Sequence, residues 1–105
     1  MLDMPWQTCY FWPMIKTWKN AATRRFAEDG KGRFPGLDQE RAKARLQILD
    51  AMQSIDEVPA LASIGLHKLK GARRNQWAMT ISGPWRLVFE FRKGDAYDVE
   101  IVDYH

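Results

Sequence analysis

The chain closes on Asp103-Tyr104-His105, directly after an alternating stretch. An acceptor, a hydroxyl and an imidazole that exchanges protons near neutrality stand side by side there. A second group of chemical residues lies upstream: His67, Lys70 and Arg86. Together the two groups combine cations with proton carriers. That mixture suits phosphodiester cleavage without a metal. A base removes a ribose 2′-OH proton, a cation stabilises the added charge on phosphorus, and an acid protonates the departing 5′-oxygen. Arginine grips a phosphate with two donors, and lysine acts as a point charge. Tyr104 can stack on an unstacked base or orient the 2′-OH.

Each member has a plainer reading. Asp103-Tyr104-His105 can be a solvated tail. His67 can be an ordinary surface histidine, and Lys70 beside Gly71 an ordinary strand-end lysine. Arg86 can pair with Glu90 or Asp98 across a sheet, which contributes little.

Other chemistries find less support. The two histidines lack ligand spacing, so a metal site is not expected. Phosphate-loop and dinucleotide glycine motifs are absent. No cofactor is implied. Cys9 is the single cysteine, which permits no intrachain disulfide and fits a reducing cytoplasm. No apolar run approaches the roughly 20 residues of a membrane span, and no basic signal-peptide region precedes Lys16.

The elements that must hold these residues follow from periodicity. A chain of 105 residues, 46% hydrophobic and 28% charged, predicts one small globular domain. Residues 1–13 fit no element and read as an extension of uncertain origin, with Met14 a possible true start; the domain proper spans residues 14–105. Ile15 to Lys19 predicts a short strand. Asn20 caps a helix through Glu28, with Trp18, Ala22 and Phe26 on one face, and Gly30 and Gly32 end it. Pro35-Gly36 makes a loop, and Asp38 caps a second helix in which Ala42, Leu46, Leu49, Met52 and Ile55 recur every three or four residues. Glu40, Arg41, Lys43 and Gln47 occupy the opposite face, and Pro59 closes the region.

From Ile64 the period becomes two. Residues 66–70 predict a strand ended by Gly71. Trp77, Met79 and Ile81 alternate along the next, Trp85, Leu87, Phe89 and Phe91 along a third, and Tyr97, Val99 and Ile101 along the last. Gly83-Pro84 and Lys93-Gly94-Asp95 are the connecting turns. The expected fold is α+β: two N-terminal helices packed on an antiparallel sheet. The open face then receives Thr80, Arg86, Val88, Glu90, Arg92, Asp98 and Glu100. Asp103 shares parity with Val99 and Ile101, so it reaches that face only if the strand ends, bulges or twists.

Charge is distributed unevenly. The net charge is +3, and the segment from His67 to Lys93 holds Lys68, Lys70, Arg73, Arg74, Arg86, Arg92 and Lys93 against Glu90 alone. Such a block is a solvated face or the footprint of a polyanion.

Leu66-His67-Lys68-Leu69-Lys70-Gly71, Trp77-Ala78-Met79-Thr80-Ile81, Trp85-Arg86-Leu87-Val88-Phe89, Gly94-Asp95-Ala96-Tyr97 and the terminal Asp103-Tyr104-His105, in this order, closely resemble the HigB branch of the RelE/ParE toxin superfamily. The resemblance runs from Met14 to His105. It implies a ribosome-dependent endoribonuclease that cuts mRNA and blocks translation. The implied partners are the ribosome, mRNA, a helix-turn-helix antitoxin and, through it, operator DNA. By position, His67, Lys70, Arg86, Asp103, Tyr104 and His105 form the implied catalytic set. Arg73 and Arg74, with Lys68 and Arg92 of the same basic block, are candidates for RNA contact. Lys68 stands where members often carry Pro, Pro84 precedes Trp85, and the extension carries Trp6, Phe11 and Trp12. The superfamily's other activity, gyrase poisoning, and a silent antitoxin-binding module are the alternatives.

Overall fold

A computed structural model describes residues 12–30, 34–52, 65–71 and 75–103. Two helices and four strands occur among them, α1 (Ala21–Asp29), α2 (Gln39–Ala51), β1 (His67–Lys68), β2 (Trp77–Ser82), β3 (Trp85–Arg92) and β4 (Asp95–Asp103). The strands form one antiparallel sheet in the order β1-β2-β3-β4. This is the α+β arrangement expected from the change in period.

Both helices start where their caps predict. The Asn20 carboxamide accepts the Thr23 N–H at 2.9 Å, and the Asp38 carboxylate accepts the Arg41 N–H at 3.0 Å, each satisfying a donor that the first helical turn leaves open. Gly30 closes α1 at φ 73, where a side chain would be strained. Helix α2 ends at Ala51; Ile55 and Pro59 lie outside the described residues. Phe26, Leu46 and Leu49 bury completely or nearly so against Met79, Ile81, Leu87, Phe89 and Val99.

Two polar residues enter the core. Ala22 is exposed and Thr23 is buried. The Thr23 hydroxyl accepts the buried Ile101 N–H at 3.0 Å, so the polar side chain satisfies the outer edge of β4. Arg45 is 8% exposed, and its Nε donates to the Thr80 carbonyl at 2.8 Å. Burial first, and Arg41 second, pull its guanidinium below the ordinary arginine value.

The predicted strand at Ile15 to Lys19 reduces to two parallel bridges, Ile15 with Ala96 and Trp18 with Val99. Between them β4 is irregular. Val88 pairs with Glu100, yet Glu90 pairs with Tyr97, so β4 carries one extra residue. Asp98 sits there at φ 52, a conformation aspartate tolerates better than most residues. The bulge corrects the expected alternation: Ala96 is buried and Tyr97 is half-exposed, because one extra residue turns the side chains before it to the other face. Asp98 therefore belongs to the bulge rather than to the open-face row. The Thr17 hydroxyl holds its N–H at 2.7 Å.

The predicted strand over 66–70 is shorter than expected, with β1 only two residues long. The turn between β2 and β3 opens with Gly83 at φ 53, and Lys93-Gly94 takes φ 50 and 84, the two positive values of a tight hairpin. Trp12 packs on the core, and its indole N–H donates to the Ala27 carbonyl at 2.9 Å. Packing thus begins just before Met14, while residues 1–11 lie outside the described ones. No helix among the described residues is long and apolar enough to cross a membrane.

Candidate active face

The face turned away from the helices carries two cross-strand rows. His67, Ala78, Val88 and Glu100 are successive partners across the four strands, and Thr80, Arg86 and Val102 form the next row. His67 and Arg86 therefore share this face. They stand two strands apart and one row apart, which ordinary strand dimensions convert to about 12 Å between α-carbons. Ala78 and Val88, both fully buried, lie between them.

Arg86 is placed by the turn before it. Its Nη1 donates to the Gly83 carbonyl at 2.6 Å and the Trp85 carbonyl at 3.0 Å. Among the described residues the Nε and Nη2 donors keep no partner, so a fork remains available for phosphate. The plainer reading of Arg86 as an ion-pair partner is not realised among these residues. Glu90 lies 3.8 Å from Arg92, and Asp98 is engaged with Thr17.

His67 is exposed, with Nδ1 2.7 Å from the Gly65 carbonyl oxygen. Lys70 is exposed just beyond β1. Lys68 pairs with Trp77 and so takes the opposite parity from His67. It lines a hollow of about 400 Å³ with Asn75, Trp77, Glu90, Phe91 and Arg92. That hollow lies at the Arg92 end of β3, away from Arg86. The Arg92 guanidinium stacks 4.0 Å from the Tyr97 ring.

Asp103 closes β4 opposite Trp85, while Val102 stands opposite Arg86. Asp103 is exposed, on the Trp85 side of the ladder rather than in the Arg86 row. The bulge precedes Val99, and the register is regular from Glu100 to Asp103, so nothing turns Asp103 over before the strand ends. Tyr104, His105, Arg73 and Arg74 lie outside the described residues. The structure thus puts His67 and Arg86 on one face of the sheet. Sequence reasoning gave no role to Gly65, whose carbonyl holds His67; its signal was a glycine two residues before a histidine.

A family model described as the RelE-like toxin of type II toxin-antitoxin system HigB matches residues 16–105. The chain belongs to this HigB-like toxin family. The match takes in both helices, all four strands and both rows of the open face. Endoribonuclease HigB of Proteus vulgaris is 37% identical over 93 residues, covering 88% of this chain and 100% of the relative. The resemblance drawn from the strand motifs and the terminal Asp-Tyr-His is borne out. Membership makes this HigB-like chain the toxin half of a toxin–antitoxin pair.

Proposed function

We propose that this toxin is an endoribonuclease that cuts mRNA on the ribosome, without a metal ion, and thereby stops translation. The observation that carries the reading is that His67 and a partly free Arg86 share one face of the sheet. The relative named as an endoribonuclease supports the same activity for this chain.

In this reading a histidine accepts the 2′-OH proton as the 2′-oxygen bonds to phosphorus. The bond from phosphorus to the 5′-oxygen breaks, and that oxygen takes a proton from the second proton carrier. His67 and His105 share these transfers. Arg86 and Lys70 stabilise the charge gathered on the phosphoryl oxygens. Asp103 orients a histidine, and Tyr104 positions the nucleotide. Lys68, Arg73, Arg74 and Arg92 hold RNA. A helix-turn-helix antitoxin neutralises the toxin and carries it to operator DNA.

The termini of the products test this chemistry. Purified toxin is added to mRNA on ribosomes and to the same mRNA alone. The reading predicts cuts only on the ribosome, leaving 2′,3′-cyclic phosphate and 5′-hydroxyl ends. Ends with 3′-hydroxyl and 5′-phosphate would contradict 2′-OH attack. Intact mRNA with broken DNA would indicate gyrase poisoning, and antitoxin binding without any cut a silent module.

A further inference from the structure

We propose that Gly65 is a positioning residue that fixes the tautomer of His67 and so makes Nε2 the nitrogen that exchanges protons with the substrate. The inference rests on the reading of His67 as a proton carrier and adds which ring nitrogen carries out the transfer. A carbonyl oxygen only accepts hydrogen bonds. With Nδ1 2.7 Å from the Gly65 oxygen, the neutral ring must carry its proton on Nδ1. Its lone pair then lies on Nε2. A histidine in that state exchanges its working proton at Nε2, accepting it when the ring is neutral and giving it up once the ring is charged. The other ring nitrogen of a working histidine is often held this way.

The position demands glycine on two independent grounds. Gly65 has φ +58, in the left-handed region, and a Cβ there would stand 2.5 Å from Thr80 Oγ1 and 3.3 Å from Thr80 Cβ. The register explains the crowding. His67 pairs with Ala78, so two residues back Gly65 comes opposite Thr80. The ladder stops at His67 instead of continuing, and the two carbonyls take side-chain donors. Thr80 O accepts the Arg45 guanidinium at 2.8 Å, and Gly65 O receives the His67 ring. The break in β1 is thus what frees a carbonyl to hold the imidazole.

The test is ¹⁵N NMR of the imidazole nitrogens in the full-length chain, at a pH where the rings are neutral. The chain has two histidines, and a His67→Gln variant identifies the His67 signals. The expected pattern is protonated Nδ1 and bare Nε2, opposite to the preference of a free histidine. Protonated Nε2 as the main form would overturn the proposal, whatever the activity. Gly65→Ala is expected to shift the ring toward the free preference and to slow cleavage by at least about tenfold, a fraction of the 10²–10⁴ that a positioned acid or base supplies, with KM little changed. Wild-type tautomer and rate in Gly65→Ala would also overturn it. If Gly65→Ala folds poorly, Gly65→Ala with Thr80→Gly removes the clash and is expected to recover part of the tautomer and the rate together. The fixed tautomer with full activity in His67→Gln would sink the catalytic reading of His67 and leave only the tautomer assignment.

Discussion

The Thr17 hydroxyl accepts the Asp98 backbone N–H at 2.7 Å, at the one place where β4 bulges. It also lies 3.4 Å from the Asp98 carboxylate. The outward edge of β4 is closed by such contacts along its length. Ala96 N–H finds Met14 O, Val99 N–H finds Thr17 O, and Ile101 N–H finds the Thr23 hydroxyl. An edge strand with open donors invites pairing with other chains, and here the N-terminal segment and α1 occupy it. The bulge also sets which side chains of β4 face which side, with Val102 falling opposite Arg86.

Thr17→Val is expected to destabilise the fold by about 1 kcal/mol, the usual net worth of one hydrogen bond. Asp98→Gly should cost less, because glycine relieves the positive φ of 52. Urea unfolding of the two variants checks the order. A larger loss from the glycine variant would contradict a bulge held mainly by Thr17.

Thr23→Val keeps the shape of a fully buried side chain and removes its hydroxyl. The Ile101 N–H is then buried without a partner. The expected cost is about 1–3 kcal/mol. Thermal unfolding would show a lowered Tm. An unchanged Tm would mean that water or a shifted backbone satisfies the donor.

Arg45→Met keeps most of the buried stem and strips the donor from the Thr80 carbonyl. A loss of about 1–3 kcal/mol is expected from the orphaned acceptor. The partly exposed β1–β2 end should open first, and amide exchange of Ala78 and Thr80 would report it. Unchanged protection at both amides would remove Arg45 from the role assigned to it.

Much of this architecture was legible in the residues. Asn20 and Asp38 mark both helix starts because a side-chain acceptor before a periodic run has a specific task. Trp77, Met79 and Ile81, then Leu87 and Phe89, reveal β2 and β3 because a period of two survives packing. The errors arose where one residue changes the count or where a polar group is satisfied at a distance. The Asp98 bulge exchanged Tyr97 for Ala96, and nothing local announces an extra residue in a strand. Thr23 and Arg45 stand outside the apolar rows, and their partners, Ile101 and Thr80, lie far along the chain. In the site, alternation correctly put Arg86 on the open face. It also flagged Asp103 as out of step with that face, and the register keeps it opposite Trp85.

Arg86→Ala should leave stability within about 1 kcal/mol of the original, because the lost bonds sit in a turn at the surface. Its effect on cleavage should be a loss of about 10²-fold or more, typical of removing a donor aimed at developing charge. Arg86→Lys should recover only part, since an ammonium lacks the fork. Circular dichroism alongside cleavage assays separates the two effects. Loss of fold in Arg86→Ala would show that the residue serves the turn instead.

The central claim is that the open face cuts mRNA during translation through Arg86. Inducing the chain in a bacterium without its antitoxin, and mapping new mRNA 5′ ends against an Arg86→Ala control, tests it most directly. The account predicts new ends inside translated codons that disappear in the variant. Growth arrest with intact mRNA, or unchanged cutting by a folded Arg86→Ala chain, would contradict it.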